Sequence, residues 1–455
     1  MKILIVANDP HDIGGVMNYT RPLAVEFNRK EHDVYYLYSG AWNRKYDWFI
    51  RPYLRIQNKE FPFECAEVIN SPNWAQNFGS PLKDISSPTV EKLFNRYLEK
   101  VKPDVMHVHS RIGLPTSIIR ITARKGIQVF TTIHAYGMLC QRSVMVDYRG
   151  EPCEGPYDLR HCAVCTGHLK INIAKLKFAA RVAGTSTRVL ELLVKIKRKL
   201  GAEEKGWTNH QPTTEDRELE AGLRKRLGYN INLMNTCVRK NLCVSSDVKQ
   251  TLMRYGVKED KLLVQHIGSV IAEGQAPGNK GLHNPIVIGN IGGVGYYKGI
   301  HVFVEAVSKL QREDFVVKVF GKYERDYLES MMKDKKDLPI TFYGRYAHED
   351  LPSILEEIDV MVLPSICNDA APQTIFESYS GGIPIIASRI GGFPDFIQDG
   401  VNGYLFEPGN SDDLADKLNR CLDSPKLLEE FRKKIPRLKT LTENASELLS
   451  LYEKV

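Results

Sequence analysis

Residues 362–403 read VLPSICNDAAPQTIFESYSGGIPIIASRIGGFPDFIQDGVNG. They continue an apolar run, Asp359-Val360-Met361-Val362-Leu363, with the length and β-branched content of a buried parallel strand that ends at Pro364. The spacing predicts a loop carrying Asp369, then Gln373-Thr374, then a helix that begins near Ile375. In parallel α/β sheets the carboxyl end of a strand and the N-terminus of the next helix form a ligand crevice, where free N–H groups and the helix dipole favour phosphate. Asp369 and Glu377 would then flank a bound anion. Downstream, Ser380 to Ser388 reads as helix end, turn and next buried strand. Gly391-Gly392-Phe393-Pro394 makes another turn, and Asp399 to Phe406 a hairpin-like loop into a last short strand. On its own the pattern also suits an ordinary buried strand followed by a solvated acidic loop.

The whole stretch resembles the nucleotide-sugar site of glycosyltransferase family 4, retaining enzymes whose mark is two glutamates with seven residues between them. Here the pair is Asp369 and Glu377, so the first position departs to aspartate, which keeps the charge and withdraws it by a methylene. The resemblance implies an α/β protein of the GT-B fold, two Rossmann-like doubly wound domains facing a central cleft. It implies further that Asp369 contacts the donor sugar, that Glu377 holds the ribose, and that Gln373, Thr374 and Ile375 complete the donor side.

The chain has 455 residues, comfortable for two domains, with 43% hydrophobic and 26% charged residues, the balance of a globular protein with ample core. No apolar run reaches bilayer-spanning length, and MKILIVAND runs directly into a strand, so a cytoplasmic protein is expected. The net charge of +7 is concentrated: residues 169–200 hold nine Lys or Arg against one acid, Glu191. That excess is local, which argues against a general affinity for nucleic acid.

Met1 to Ala7 reads as a buried strand, followed by a loop, Gly14-Gly15 and a helix from about Val16 to Lys30. A glycine pair before a helix lets a phosphate or sugar approach the backbone, although a plain tight turn has the same signature. By resemblance, Gly14 and Gly15 form the loop that reaches across the cleft to the donor phosphates. Strands are expected at Val34–Tyr38, Asp104–His109 and Gln128–Ile133. His134 ends the last of these, where a packed histidine is the plainer reading. By resemblance it lies beside the transferred sugar and orients it.

Cys140, Cys153, Cys162 and Cys165 then fall within 26 residues, the last two as Cys-x-x-Cys. Four soft thiolates in one loop-rich segment suggest a tetrahedral site, above all structural zinc, with His161 and His168 as substitute ligands. An iron–sulfur cluster and unligated thiols stay open. Two disulfides are a further alternative, which a reducing cytosol argues against. The basic segment 169–200 carries apolar residues at helical spacing, suited to an anionic membrane surface or to a solvated helix packed on the domain. Trp207 to Lys225, polar and charged, is expected as a loop. Together, residues 140–225 form a cysteine-rich and basic insertion in an N-terminal, acceptor-side domain spanning 1–274.

Ser246 or Asp247 is expected to cap a helix, and Lys261 to Ile267 to form a strand. Gly274 to Asn284, rich in Gly, Pro and Asn, is the best boundary. A nucleotide-sugar domain over 275–435 follows, then a terminal helix in 436–455 that, by resemblance, crosses back to the first domain. Pro285 to Ile291 is a strand opening into Gly292-Gly293-Val294-Gly295-Tyr296-Tyr297-Lys298-Gly299, which fits neither G-x-G-x-x-G nor a P-loop. In the family this loop gives the diphosphate an arginine and, five residues later, a lysine. Lys298 fits the lysine and Gly293 stands in the arginine's place, with Arg345 a second candidate cation.

The expected activity is therefore retaining transfer of a sugar from a nucleotide diphosphate sugar to a hydroxyl of a glycan or lipid-linked acceptor, in cell-surface glycan or polysaccharide biosynthesis. His134, Lys298 and Asp369 would carry it with no catalytic metal, at the inner face of the membrane if the basic segment docks there. The alternative is a non-catalytic GT-B protein that binds a nucleotide sugar or a protein partner.

Overall fold

The computed structural model describes residues 1–12, 14–40, 51–57, 60–72, 80–153, 155, 159–167, 214–273 and 281–454. The basic segment 169–200 and His168 lie outside them. Two sheets organise the chain. The first contains β1 (Lys2–Val6), β2 (Asp33–Ser39), β3 (Tyr53–Gln57), β4 (Glu64–Ile69), β5 (Val105–Val108), β6 (Gln128–Ile133), β7 (Lys240–Cys243) and β8 (Leu262–Val264). Their order is β3-β4-β2-β1-β5-β6-β7-β8, parallel throughout except for β3 against β4. The second sheet contains β9 (Ile286–Ile291), β10 (Phe315–Phe320), β11 (Ile340–Gly344), β12 (Val360–Leu363), β13 (Ile385–Ser388) and β14 (Gly403–Phe406), in the parallel order β11-β10-β9-β12-β13-β14.

Strand order reverses once in each sheet, between β1 and β5 in the first and between β9 and β12 in the second. At such a switch the loops diverge to opposite faces and leave a crevice beyond the strands' carboxyl ends. The residues after β1, β5, β9 and β12 are thereby set in the two crevices. The strands that carry them are anchored by burial: every residue of β12 is at most 5% exposed, and each such aliphatic side chain stabilises the sheet by about 1.5–3 kcal/mol.

The two halves meet at the loop and helix after β12. Ala370 and Phe376 are buried in the same core as β1, β5 and β6. Asp395, from the turn after β13, accepts the Ser246 amide at 2.7 Å and pairs with His266 Nε2 at 2.8 Å. The helix Leu441–Glu453 returns to the first core, which its Leu441, Ala445, Leu448, Leu449 and Tyr452 join. Tyr19 donates to Asn444 Oδ1 at 2.6 Å, and the Tyr452 hydroxyl meets His107 Nδ1 at 2.5 Å. The two chain segments that run between the halves lie side by side, with the Ser269 amide on the Lys439 carbonyl and the Gly268 amide on Asn444 Oδ1.

Three local expectations are corrected. Within Trp207–Lys225 the residues from Thr214 onward are helical, part of Thr214–Thr236, whereas 207–213 are outside the described residues. The buried face of that helix runs Leu219, Leu223, Arg226, Asn230, Leu233, so two polar residues interrupt the apolar period that would reveal it. The cap of the helix Ser246–Arg254 is Ser245, whose hydroxyl accepts the Val248 amide, because Asp247 is engaged by the Tyr136 hydroxyl at 2.9 Å. The strand expected over Lys261–Ile267 is confined to Leu262–Val264.

Candidate functional site

On the second-domain side, the backbone at Gly292 takes φ 115°, a conformation open to glycine, and the chain then makes one tight turn over Tyr296–Lys298. The Tyr297 carbonyl accepts the Ile366 amide at 3.0 Å and the Ser365 hydroxyl at 3.3 Å, which fixes that turn against the loop after β12. Lys298 Nζ is thereby delivered to Asp369 Oδ2 at 2.5 Å. Burial draws the Lys298 ammonium down, the Asp369 carboxylate more than offsets it, and the pKa rises, so the lysine is charged. A cavity of about 60 Å³ lies here, lined by Asn290, Gly293, Lys298, Asp369 and Thr374 among others. A Cβ at Gly293 would meet no atom within 4 Å, whereas one at Gly391 would strike the Asp369 carbonyl at 2.5 Å. Gly391 and Gly392 are small because the acidic loop rests on them.

Gly14 and Gly15 open the helix Gly15–Arg29 and do not line this cavity; Gly15 brings the first domain against the helix that follows β12, where a Cβ at Gly15 would lie 3.5 Å from Gln373 Cγ. Gln373 begins the helix Gln373–Ser380, whose first-turn amides lack intrahelical partners, and its Thr374 lines the cavity. Ile375, expected at the donor, has a fully buried side chain, and its amide is taken by the Pro372 carbonyl at 3.1 Å. Glu377 is half-buried; burial pushes its carboxyl up, with His348 opposing. It lies toward Tyr346, whose hydroxyl is raised to about 12 by burial and by the Glu377 charge. Arg345 is exposed and does not line the cavity at Lys298.

His134 stands at the end of β6, as its position requires. Its Nε2 is 3.1 Å from His109 Nδ1, and Tyr19 packs on both rings at 5.3 and 5.7 Å. Burial pushes His134 down to about 4, so the imidazole is neutral near pH 7. Its partner His109, and His107 packed on His109 at 4.0 Å, are not singled out by the sequence. Their signal was two histidines at alternate positions in an apolar strand, a placement that needs buried hydrogen-bond partners.

His134, Asp84, His109, Arg111 and Arg226 line a second cavity, of about 160 Å³, on the first-domain side. The three charged members, Asp84, Arg111 and Arg226, were also unread, because they come from three distant segments.

The four cysteines are brought together. Cys140, Cys153, Cys162, Cys165 and His161 line one cavity of about 50 Å³. All nine cysteines are free thiols, so the disulfide alternative is not found. Among the described residues no three of His, Cys, Asp or Glu are arranged to hold a metal ion. The Cys153 thiol is raised to about 12, chiefly by burial and then by Cys140 and Cys165. The cysteine-rich loop also touches the second domain, where a Cβ at Gly150 would lie 3.1 Å from the Tyr296 ring.

The architecture is that of known glycosyltransferases. Over 99% of both chains it matches HepE of Anabaena, solved in complex with UDP, with a TM-score of 0.63 at 14% identity. That likeness shows the fold, two Rossmann-like doubly wound domains about a cleft. A sulfoquinovosyl transferase of Arabidopsis thaliana is 31% identical over 141 residues, 30% of this chain and 26% of that protein. An α-D-kanosaminyltransferase of Streptomyces kanamyceticus is 28% identical over 181 residues, 38% of this chain and 46% of that one. The chain thus matches less than half the length of either relative. The family model described as glycosyl transferases group 1 matches residues 276–437. The residues that it matches include Lys298, Asp369 and Glu377.

Proposed function

We propose that this protein transfers a sugar from a nucleotide diphosphate sugar to a hydroxyl, with retention at the anomeric carbon, in the manner of glycosyltransferase family 4. The observation that carries the reading is the charged Lys298 held at 2.5 Å by Asp369 in a cavity that Thr374, at the start of the helix Gln373–Ser380, also lines, with Gly15 of the first domain against the neighbouring Gln373. A diphosphate placed there meets one ammonium, helix-start amides and a backbone without side chains, the elements that stabilise a leaving phosphate. The leaving phosphate can itself take the acceptor's proton on the same face, so no protein nucleophile is required. Neutral His134, bonded through Nε2 to His109, leaves Nδ1 for the sugar and puts no positive charge against an anomeric carbon that is becoming cationic.

Glu377 and Tyr346 are assigned to the ribose and base side, and a glycan or lipid-linked hydroxyl compound is the acceptor class. The setting proposed is the cytoplasmic face of a membrane, which the basic composition of residues 169–200 supports. Among the described residues no helix is long and apolar enough to cross a membrane. For the cysteine-lined cavity we propose structural zinc, supported by four thiols and His161 around one small space. Their side chains must turn inward to bind it, and the ion plays no part in the transfer.

The test is a panel of nucleotide sugars, UDP-sugars first because HepE was solved with UDP, incubated with an acceptor extract while free nucleoside diphosphate is measured. Acceptor-dependent release is the expected result. Binding of a nucleotide sugar without release would instead establish the non-catalytic reading.

A further inference from the structure

The larger cavity beside His134 carries an electrostatic imbalance. Arg111 donates to both oxygens of Asp84, at 3.1 and 3.0 Å, and Arg226 Nε donates to the same carboxylate at 2.6 Å. Their side chains are 12% and 3% exposed, so two guanidinium groups share one carboxylate largely out of water. Burial, opposed by Asp84 and reinforced by Arg111, draws Arg226 below its ordinary pKa. His109 and His134 are both driven toward the neutral form by burial and supply no counter-charge. Among the described residues the remaining bonds of the pair go to neutral acceptors: Gly137 carbonyl from both arginines, Leu139 carbonyl from Arg226, Met138 sulfur from Arg111. A guanidinium has five N–H groups, so donors are left over. A net positive charge in a buried place is costly unless something pairs with it.

Among the described residues, Asn8 Oδ1 and His109 Nε2, from residues that line the cavity, are buried without a hydrogen-bond partner. Asn8 follows β1 and His109 follows β5, so both come from the switch point of the first sheet, opposite the domain that holds Lys298.

We propose that this cavity is the acceptor subsite and that it takes an anionic group of the acceptor, a carboxylate or a phosphate, on Arg111 and Arg226, with a neighbouring hydroxyl on Asn8. The assignment rests on the glycosyl-transfer reading and narrows it to acidic acceptors. A purely structural role, in which the arginines only tie the loop at Gly137 to the helix Thr214–Thr236, makes different predictions.

The test is calorimetric titration of the full chain, loaded with UDP, with glucuronate, glucose 6-phosphate and glucose. The two anions are expected to bind at least about tenfold more tightly than glucose, the scale of one charge-assisted hydrogen bond. The tighter of them identifies carboxylate or phosphate as the group. In Arg111→Gln that preference is lost and in Arg111→Lys it is partly kept, while UDP affinity stays within about twofold in both, because Arg111 lies in the other cavity. Equal binding of glucose and the anions overturns the proposal. So does an anion preference that survives in folded Arg111→Gln protein, and so does failure of all three to bind a protein that binds UDP. In each of those cases the donor reading stands. Should Arg111→Gln fail to fold, Arg111→Lys and the unmutated protein still decide, through the comparison of glucose with its charged analogues.

Discussion

Lys298 and Asp369 come from loops 71 positions apart, after β9 and β12, and their side chains meet at 2.5 Å on the two sides of one strand-switch crevice. The pair is partly open, with side chains 39% and 25% exposed. It is a preset cation rather than a structural staple, because an exposed ion pair contributes little to stability. On the proposed reading, a diphosphate entering the cavity would share the ammonium with Asp369 and leave a carboxylate oxygen for a sugar hydroxyl.

Lys298→Ala is therefore expected to lower turnover about 10²-fold or more while the thermal unfolding temperature barely moves. Release of nucleoside diphosphate and a melting curve on the same preparation check this. Unchanged turnover with every active donor would remove Lys298 from the mechanism.

Gly293→Arg is expected to strengthen diphosphate binding about tenfold, by one charge-assisted contact. The position has room, since among the described residues no atom lies within 4 Å of a Cβ built there, and it stands in the same loop as Lys298. Titration of UDP against both proteins measures it. Weaker binding by the arginine variant would mean that the glycine is kept for close approach of the ligand's backbone-facing side.

Acid should destabilise the protein before its carboxylates titrate. His107 and His134 are pushed from 6.5 to about 3 and about 4, chiefly by burial, and His109 falls well below 6.5. The unfolded chain takes up these protons from about pH 6.5 downward and the folded chain does not, so stability is full above that pH and declines as pH falls toward 4. Unfolding temperatures from neutral pH to about pH 4.5 should show the decline, and His134→Asn should make it shallower. A flat profile over that window would contradict the buried, neutral assignment.

Protein purified without added metal is expected to carry about one equivalent of zinc, lost in Cys162→Ser/Cys165→Ser together with part of the thermal stability. Metal analysis and thiol titration read this directly. Less than about a tenth of an equivalent of zinc or iron, with all thiols reactive, would leave the cysteines as packing residues.

Strands and the donor loop were legible because buried parallel strands are written as uninterrupted apolar runs. Gln128–Ile133 is observed over the residues expected, and the helix after Asp369 begins two residues before Ile375. The cap at Ser245 was not legible: Ser245, Ser246 and Asp247 are all good caps, and the choice is made by Tyr136, 111 positions away. Arg226 was hidden for a related reason. A polar residue on the buried face of a helix looks like a break in the pattern until Asp84 and Arg111 arrive from other segments to satisfy it. Sequence spacing exposes what neighbours in the chain do together, and the cavity at Asp84, Arg111 and Arg226 is built from residues that are not neighbours.

The paired crossing between the halves sets how they can move. A domain tethered by a single linker can swing within a cone. Here Gly268-Ser269 and Lys439-Thr440 run between the halves in contact, laced by the Ser269 amide to the Lys439 carbonyl at 3.0 Å and by Asn444. Two laced straps behave like a door hinge: they resist twist and sliding and permit rotation about the line they share. Opening of the cleft then moves Gly15 away from Gln373 along one arc, and each return brings the same loop back over the start of the same helix.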